Sequence, residues 1–261
     1  MEILLLGHNG YLGNYLKKRF QKTYTIITDI SENYKTYKYV INCAGLPNLE
    51  YCEYHKDQCK AANLDPVYQY TRLFPESKFI NFSSYYVYNG YGLNLEDRTS
   101  NLDRQYCYTK CNLEAEEVNK NGINFRLGKL FGLSGGKEQK KLTESLIQYA
   151  TNIELDRVLF NPTSLETVGD VIQFELGGQG LSGIYNLAND GFSTHYDYGN
   201  FISNFLGKNR RIDTGPPAKS FTHYGKNLMS VDKLANVIPL RHWKDDMTRY
   251  LNCLGYARQD A

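Results

Sequence analysis

The sequence predicts an α/β protein built on a doubly wound parallel sheet, and three observations lead to this fold class. Residues 2–6 form a short apolar run of strand length. A glycine-rich turn over residues 7–13 follows, and Leu12, Leu16 and Phe20 then recur at the spacing of one helix face. Further strands alternate with helices along the chain. This alternation is typical of parallel strands joined by right-handed crossovers.

The same patterns place the later elements in order. Strands are predicted at residues 24–28, 39–42, 78–82, 124–127 and 183–187, where short apolar runs occur. Helices are predicted at residues 58–73, 105–119, 141–150, 196–206, 231–235 and 243–254. The alternation of strand and helix breaks after Gly132, and the sequence contains neither a repeat nor a linker. We therefore expect one compact unit with a smaller C-terminal lobe.

Length and charge exclude several classes of protein. The chain has 261 residues, 41% of them hydrophobic, which is enough for a packed core and excludes a fibrous or disordered protein. Its 30 basic and 28 acidic residues leave a formal charge of +2 without a long basic run, so we expect no nucleic-acid partner. No apolar stretch approaches the roughly 20 residues that span a bilayer, and the first residues lack a secretion-signal pattern. We expect a cytoplasmic protein with no membrane partner.

The cysteines predict neither disulfides nor a metal site. The chain has six of them, at positions 43, 52, 59, 107, 111 and 253, and no pair forms a C-x-x-C motif. The five histidines are far apart in sequence and lack metal-ligand spacing. We therefore expect reduced thiols and no bound metal.

The glycine-rich turn between the first strand and the first helix is typical of a dinucleotide-binding site. Gly7, Gly10 and Gly13 remove the side chains that would keep a pyrophosphate from the backbone amides and the positive helix N-terminus. Asp29 ends the second predicted strand about 20 residues later, where an acidic side chain binds the adenosine ribose hydroxyls and repels a 2′-phosphate. NAD(H) is therefore favoured as cofactor, and NADP(H) stays open. A helix or turn cap is the alternative role for Asp29.

The residues predicted to hold the dinucleotide follow the first three strands. Ligands of a doubly wound sheet bind at the carboxyl ends of its strands, where these residues lie. They are Gly7, Asn9, Gly10, Tyr11, Leu12, Gly13, Asp29, Ile30, Cys43, Ala44 and Gly45.

Tyr106 and Lys110 are four residues apart on a predicted helix and therefore share one face. A lysine ammonium beside a phenol lowers the phenol pKa from its usual value of about 10, so that the tyrosine can exchange a proton near neutral pH. Ser84 follows the strand predicted at 78–82, and its hydroxyl can donate to the oxygen that Tyr106 protonates. Ser83 is the competitor for this role, and either serine can instead be a strand cap.

These three motifs together resemble the extended short-chain dehydrogenase/reductase superfamily. Its Gly-x-x-Gly-x-x-Gly motif, its serine or threonine and its Tyr-x-x-x-Lys motif are matched in order. The chain is most similar to the dTDP-4-dehydrorhamnose reductase family, and the matching segments cover most of it: residues 40–45, Cys52-Glu53, Asn63, 83–90, 126–132, 161–164 with Asp170, and 183–187. The resemblance implies a Rossmann-type core over residues 1–132, completed by segments around 166–190. It also implies a small C-terminal substrate-binding lobe over residues 133–165 and 190–261.

The resemblance further implies an enzyme that reduces the 4-keto group of a nucleotide-activated 4-keto-6-deoxyhexose with NAD(P)H. Tyr106 would deliver the proton, Ser84 would orient the reacting oxygen, and Lys110 would hold the nicotinamide ribose. The expected partner is a nucleotide sugar, and a homodimer fits the helix pairing common in the superfamily. The predicted substrate contacts are Tyr86, Asn161, Thr163 and a basic residue for the diphosphate, Lys129 or Arg157. Asn161 and Thr163 are equally well interpreted as turn residues around Pro162.

Two departures from the family pattern bear on the substrate and the reaction. Residues 84–88 read Ser-Tyr-Tyr-Val-Tyr where the family usually has Thr-Asp-Tyr-Val-Phe, and His223-Tyr224 replace an expected Arg-Pro pair. Tyr85 and Tyr86 occupy the positions at which sugar-nucleotide dehydratases carry an acidic pair, and tyrosines cannot do the proton transfers of those acids. Tyr86 also occupies the position at which epimerising reductases carry a cysteine. Plain reduction is therefore favoured. The alternatives are a sugar-nucleotide epimerase of the same superfamily and a non-catalytic dinucleotide-binding regulatory subunit.

Overall fold

The computed structural model describes residues 1–30, 36–88, 92–97, 107–134, 142–148, 152–208, 211–215 and 227–257. Within these ranges the strands are β1 (Glu2–Leu6), β2 (Thr25–Ile27), β3 (Tyr39–Asn42), β4 (Lys78–Ser84), β5 (Gly92–Asn94), β6 (Ile123–Leu127), β7 (Lys129–Phe131), β8 (Ile153–Leu155), β9 (Leu159–Phe160), β10 (Pro162–Ser164), β11 (Gly183–Leu187), β12 (Ser193–Thr194), β13 (Ile212–Thr214) and β14 (Asn227–Met229). The helices are α1 (Tyr11–Phe20), α2 (Leu49–Tyr54), α3 (Lys56–Asn63), α4 (Asp65–Leu73), α5 (Cys107–Val118), α6 (Leu142–Gln148), α7 (Leu165–Leu176), α8 (His195–Phe205), α9 (Asp232–Ala235) and α10 (Trp243–Cys253). A 3-10 turn, Tyr85–Val87, follows β4.

Six parallel strands form the central sheet in the order β2, β1, β3, β4, β6 and β11. The strand order reverses at β1, because the chain forms β2 on one side of β1 and returns to form β3 on the other. The loops after β1 and β3 therefore diverge and leave a crevice at the carboxyl edge of the sheet. This architecture confirms the predicted Rossmann-type, doubly wound parallel sheet.

Two apolar clusters cover the two faces of the sheet. In β1, Ile3 and Leu5 point into the cluster that α1 and α7 complete, whereas Leu4 and Leu6 point into the cluster under α2 to α5. This alternation follows from the period of two of a β-strand. Because both faces are buried, the central strands are nearly continuous apolar runs rather than alternating ones.

Helix α7 corrects the sequence-based predictions, which contain no helix between residues 150 and 196. Val168, Val171 and Ile172 share one face of this helix and are fully buried in the sheet cluster. Ser164 caps its N-terminus, since its hydroxyl accepts a hydrogen bond of 2.8 Å from the amide of Thr167. The helical spacing of these apolar residues was present in the sequence, beside a segment interpreted as irregular because of Pro162.

The prediction of one helix over residues 58–73 is also wrong, because α2, α3 and α4 occupy residues 49–73. Helix α3 ends at Asn63, and α4 begins at Asp65 with Pro66 in its first turn. A proline has no amide hydrogen to continue a preceding helix and disfavours helical geometry in the residue before it. The break is therefore encoded by Pro66.

A third apolar cluster belongs to the C-terminal part of the chain. Tyr198 and Ile202 of α8 pack with Trp243 and Met247 of α10, and Phe131 of β7 joins them. Four two-stranded pairs, β7 with β10, β8 with β13, β9 with β12 and β5 with β14, connect the described segments of this region. Across the described residues, no helix has the length and apolar character needed to cross a membrane.

Candidate active site

The glycine-rich turn lies where the strand order reverses, and it packs backbone against backbone. Gly7 has a φ of 70°, and a β-carbon there would lie 2.4 Å from the amide nitrogen of Ala44. A β-carbon on Gly13 would lie 2.2 Å from the carbonyl oxygen of Gly7. Real β-carbons do not approach backbone atoms so closely, so these two positions require glycine. The turn, α1 and the loop after β3 are thereby held together at the crevice.

Gly10 has a different environment from the other two glycines. It is the N-cap of α1, with an extended backbone, and the nearest described atom to a β-carbon there would be the Gly7 oxygen at 3.3 Å. Neither a capping side chain nor an acidic residue occupies the first turn of α1. The first amides of a helix have no partner within the helix, and they attract anions. This open helix end fits the pyrophosphate of a dinucleotide.

Asp29 and Ile30 lie just beyond β2, at the same edge of the sheet. Asp29 is exposed, and the hydroxyl of Thr28 donates a hydrogen bond of 3.2 Å to its carboxylate. Ile30 is half-buried against the cluster under α2 to α5. The Asp29 carboxylate is therefore accessible to solvent at the position predicted to meet a ribose.

A buried ladder of asparagines positions the loop at residues 43–45. The amide of Ala44 donates to Oδ1 of Asn42 at 3.1 Å. Asn42 donates to Asn81 at 3.0 Å, and Asn81 donates to Asn124 at 3.5 Å. These three asparagines are direct partners on β3, β4 and β6. The loop that the dinucleotide prediction names is thus tied to three neighbouring strands.

A cavity of about 410 Å³ opens beyond the carboxyl ends of β4 and β6. Both the sheet and the C-terminal region supply its walls. The lining residues are Pro47, Ser83, Ser84, Tyr85, Tyr86, Tyr108, Leu127, Gly128, Lys129, Leu130, Leu142, Thr143, Phe160 and Tyr198. Because Pro47 belongs to the loop after β3, the cavity adjoins the segment predicted to flank the dinucleotide.

Ser83, Ser84 and Tyr108 are three of the hydroxyl-bearing residues that line this cavity. Ser84 accepts a hydrogen bond of 3.3 Å from the amide of Tyr86, which caps the 3-10 turn, and it also interacts with the hydroxyl of Tyr108. Burial raises the pKa of Tyr108 to about 12, although the hydrogen bond with Ser84 opposes the shift. Tyr108 is therefore protonated at neutral pH. The hydroxyl of Ser83 is buried and has no hydrogen-bond partner among the described atoms.

The predicted pair of Tyr106 and Lys110 is only partly described. Tyr106 lies outside the described residues, so its pairing stays a prediction. Lys110 is exposed in the first turn of α5. Tyr108, which the sequence reasoning missed, faces inward with Cys111 and Ala115. Helical periodicity of these buried residues was the signal that could have identified it.

Lys129 belongs to a chain of three polar groups beside the cavity. Its ammonium lies 3.0 Å from Nε2 of His195, and Nδ1 of His195 lies 2.7 Å from the carboxylate of Asp156. Burial lowers the pKa of Lys129, against the attraction of Asp156. Burial and the Lys129 charge lower the pKa of His195, and Asp156 opposes them. A neutral His195 can therefore donate to Asp156 and accept from Lys129. Neither His195 nor Asp156 was predicted, since they lie far from Lys129 in sequence.

The other four predicted substrate residues do not all lie at the cavity. Tyr86 lines it, as Lys129 does. The exposed guanidinium of Arg157 instead lies 4.4 Å from the ring centre of Tyr196. Asn161 is buried, and its amide group exchanges hydrogen bonds of 3.2 and 2.9 Å with the backbone of Met229. Thr163 is fully buried and donates to the carbonyl of Asn161 at 3.4 Å. The structure thus brings Tyr86 and Lys129 together, and Asn161 and Thr163 make internal contacts around Pro162.

Comparison with solved structures finds close similarity of fold. A dTDP-4-dehydrorhamnose reductase from Clostridium acetobutylicum superposes with a TM-score of 0.82 and 20% identity, over 98% of this chain and 100% of that one. The dTDP-4-dehydrorhamnose reductase of Bacillus anthracis, solved in complex with NADP, has a TM-score of 0.80 and 16% identity, over 96% and 98% of the two chains. MoeE5 in complex with UDP-glucuronic acid and NAD has a TM-score of 0.72 and 13% identity, over 93% and 94%.

Sequence comparison extends this result. Among curated proteins, none matches the chain significantly. The likeness to solved structures at these identities concerns the fold alone. A family model, described as the RmlD substrate binding domain, matches residues 1–255. Because that match covers nearly the whole sequence, the chain belongs to the RmlD substrate binding domain family.

Proposed function

We propose that this protein reduces the 4-keto group of a nucleotide-activated 4-keto-6-deoxyhexose, with a nicotinamide dinucleotide as hydride donor. One observation carries the proposal. The same edge of the sheet holds a glycine turn suited to a pyrophosphate and, beyond the loop after β3, a cavity of about 410 Å³ that presents serine and tyrosine hydroxyls. Membership of the RmlD family and the fold shared with two dTDP-4-dehydrorhamnose reductases support this assignment.

The chain's own residues handle the oxygen of the substrate. The dinucleotide, when bound, supplies the hydride that adds to the keto carbon. The keto oxygen then becomes an alkoxide and takes a proton, which we assign to Tyr106 with Lys110 lowering its pKa. Ser84 donates a hydrogen bond to the same oxygen and orients it. The apolar walls of the cavity exclude water and strengthen these hydrogen bonds.

Tyr108 has a separate part in the proposal. Its pKa of about 12 makes it a weaker acid than a tyrosine assisted by lysine, although its contact with Ser84 places it within the site. We therefore assign Tyr108 to orientation of Ser84 rather than to proton transfer.

The substrate end of the site is built around Lys129. An ammonium in a largely apolar wall attracts an anion, and a nucleotide sugar carries one in its diphosphate. Tyr86, in the same wall, provides an aromatic surface for the sugar or the base. We propose that Lys129 rather than the exposed Arg157 binds the diphosphate.

We further propose a preference for NAD(H), because the exposed carboxylate of Asp29 would repel a 2′-phosphate. The fold itself accepts both cofactors, since NADP is bound in the Bacillus anthracis reductase and NAD in MoeE5. The KM for NADH and the KM for NADPH, each measured at a saturating concentration of the sugar nucleotide, test this preference. A lower KM for NADPH than for NADH would contradict it.

The deciding experiment is a screen of dTDP-, UDP-, GDP- and CDP-linked 4-keto-6-deoxy sugars in which oxidation of NADH or NADPH is followed by absorbance. Consumption of cofactor with at least one sugar is expected. No consumption with any of them contradicts the reductase proposal. Tightly retained NAD without net consumption would instead indicate an epimerase. Dinucleotide binding without turnover would indicate a regulatory subunit.

The Tyr106→Phe and Tyr108→Phe variants separate the two tyrosines. We expect Tyr106→Phe to lower kcat by about 10²- to 10⁴-fold, because it removes the proton donor. Tyr108→Phe keeps that donor and loses a hydrogen bond to Ser84, so a smaller decrease, of about tenfold, is expected. Steady-state kinetics at saturating cofactor measure both. The reverse order would assign proton transfer to Tyr108.

A further inference from the structure

Three cysteines meet at the packed surface between helices α3 and α5, and a fourth lies next to them on α2. The sulfur atoms of Cys59 on α3 and of Cys107 and Cys111 on α5 all lie within 4.8 Å of one another. The Cys107 and Cys111 sulfurs are 4.0 Å apart. Cys52 on α2 interacts with Cys59 and donates to the Leu46 carbonyl, but it is not part of this mutually close group. Three of the four are buried, and Cys107 is half-buried.

We propose that Cys59, Cys107 and Cys111 bind one Zn²⁺ ion, and that Cys52, the neighbour of Cys59, completes the site as the fourth ligand. A tetrahedral site with Zn–S bonds of about 2.3 Å places its sulfurs about 3.8 Å apart, which is close to the separation of Cys107 and Cys111. Thiolates are soft ligands that select zinc, copper(I) or iron–sulfur clusters over magnesium or calcium. Four cysteines without an open position are typical of a structural zinc site.

Asn63 supplies the outer contacts that such a site needs. Its Nδ2 lies 3.5 Å from the sulfur of Cys59 and 3.9 Å from the sulfur of Cys52, and it donates towards both. Its own position is fixed, because Nδ2 also donates to the Cys59 carbonyl at 2.9 Å and Oδ1 accepts from the Leu46 amide at 2.9 Å. Hydrogen bonds of this kind stabilise charge on metal-bound sulfur and orient the ligands.

The proposed ion would fasten α3 to the first turn of α5. That turn contains Lys110, and Cys107 is the residue immediately after Tyr106. The ion would therefore be structural: it would support the turn that carries Lys110 without taking part in the hydride transfer proposed above. The sequence predicts no metal, because no pair of cysteines forms a C-x-x-C motif and the histidines lack metal-ligand spacing. Only the packing of α3 on α5, together with the i, i+4 spacing on α5, brings the sulfurs together.

The test is metal analysis of the full-length protein purified under reducing conditions without chelator. About one zinc per chain is expected by inductively coupled plasma mass spectrometry. Cys59→Ser and Cys111→Ser should each lose it, while the control Cys253→Ser, which changes an exposed cysteine outside the cluster, should keep it. Replacement of zinc by Co²⁺ should give the intense near-ultraviolet absorption of thiolate ligation in the wild type and in Cys253→Ser alone.

Titration of the metal-free wild-type protein with Zn²⁺ or Co²⁺ tests the site even if a cysteine variant fails to fold. Circular dichroism verifies that this protein is folded before Zn²⁺ or Co²⁺ is added. Failure of the folded protein to take up either ion overturns the proposal. A count below six free thiols in the denatured protein would indicate a disulfide instead, and purified protein that carries copper and no zinc would contradict the proposal. None of these readouts depends on a substrate, so they stand apart from the test of the reductase.

Discussion

At the scale of single residues, Lys129 illustrates how burial and a neighbouring charge oppose each other. Its ammonium is removed from water beside the Phe160 ring, with a distance of 5.4 Å to the ring centre. Asp156 stabilises the charge through His195, without contacting Lys129 directly. The charge of Lys129 therefore depends on a carboxylate two contacts away, so the binding of a substrate anion proposed for Lys129 would depend on pH.

The first prediction concerns the KM for the sugar nucleotide. Because burial lowers the pKa of Lys129, the ammonium is lost as the pH rises through a value below the usual one of about 10.4. KM should consequently rise in this alkaline range while kcat changes little. Lys129→Met should raise KM by about tenfold or more at neutral pH and abolish the alkaline rise, because it removes the charge. Steady-state kinetics as a function of pH measure both effects.

Asp156→Asn provides a sharper version of the same test. This change removes the group that raises the pKa of Lys129, so the rise of KM should move to lower pH. Lys120→Met is the matched control, since Lys120 forms only a solvent-exposed ion pair with Glu117. A pH profile that is the same in Asp156→Asn and in wild type would show that Lys129 does not bind the substrate anion.

At the scale of elements, the glycines of the turn before α1 have two different roles: two are needed for folding, and one leaves the helix end open. Gly7 and Gly13 are required by the fold itself, because a β-carbon at either would collide with backbone atoms. A β-carbon on Gly10 would meet only the Gly7 oxygen among the described atoms, at a tight 3.3 Å that a shift of a few tenths of an ångström relieves. The absence of a side chain at Gly10 therefore matters more for what approaches the helix end than for folding.

The second prediction follows from this difference. Gly10→Ala should lower the free energy of unfolding by no more than about 1 kcal/mol, the usual range for changing an N-cap residue. It should weaken NADH binding by tenfold or more, because the methyl group occupies the path of the pyrophosphate. Isothermal titration calorimetry and urea unfolding measure the two quantities. Gly7→Ala is the contrast and should lose stability in urea. Unchanged NADH affinity in Gly10→Ala would place the pyrophosphate elsewhere.

The same elements indicate how far sequence alone leads. The strands of the sheet and the glycine turn could be predicted, because apolar runs and glycines signal them locally. Helix α7 was missed although its apolar spacing was available, and the break at Pro66 was overlooked within a longer periodic pattern. The Lys129–His195–Asp156 chain could not be predicted, because only the pairing of distant strands and helices brings these residues together.

At the scale of the whole molecule, the candidate active site lies between the sheet and the C-terminal region, so their contact determines its shape. Asp246 on α10 is central to that contact. Its carboxylate accepts hydrogen bonds of 2.8 Å from both Thr167 and Asn189, 2.5 Å from Arg241, and another from Ser164. Ser164 and Thr167 begin α7, and Asn189 follows β11. The buried Asp246 carboxylate therefore links α10 to the start of α7 and to the residue Asn189 that follows β11, the edge strand of the sheet.

The last prediction is the stability of the Asp246→Ala variant. Burial raises the pKa of Asp246, but the hydrogen bonds from Arg241, Ser164, Asn189 and Thr167 outweigh it, so the pKa lies below the ordinary value. Asp246→Ala should lower the free energy of unfolding by about 3 kcal/mol at neutral pH, because it leaves the buried donors of Ser164, Thr167 and Asn189 without their acceptor, while Arg241 keeps its ion pair with Asp170. Urea unfolding measures the change. Asp213→Asn, which alters a partly exposed ion pair with Arg211, should change stability by less than about 1 kcal/mol.

The pH dependence provides an independent measure of the same carboxylate. A group whose pKa is depressed by folding stabilises the native state above its unfolded pKa of about 3.9, and this stabilisation is lost as the pH falls through the lower folded value. The stability difference between wild type and Asp246→Ala should therefore shrink on acidification below about pH 4. A difference that stays constant below about pH 4 would mean that Asp246 acts through packing alone. A shrinking difference would identify its charge as what joins α10 to the start of α7 and to Asn189.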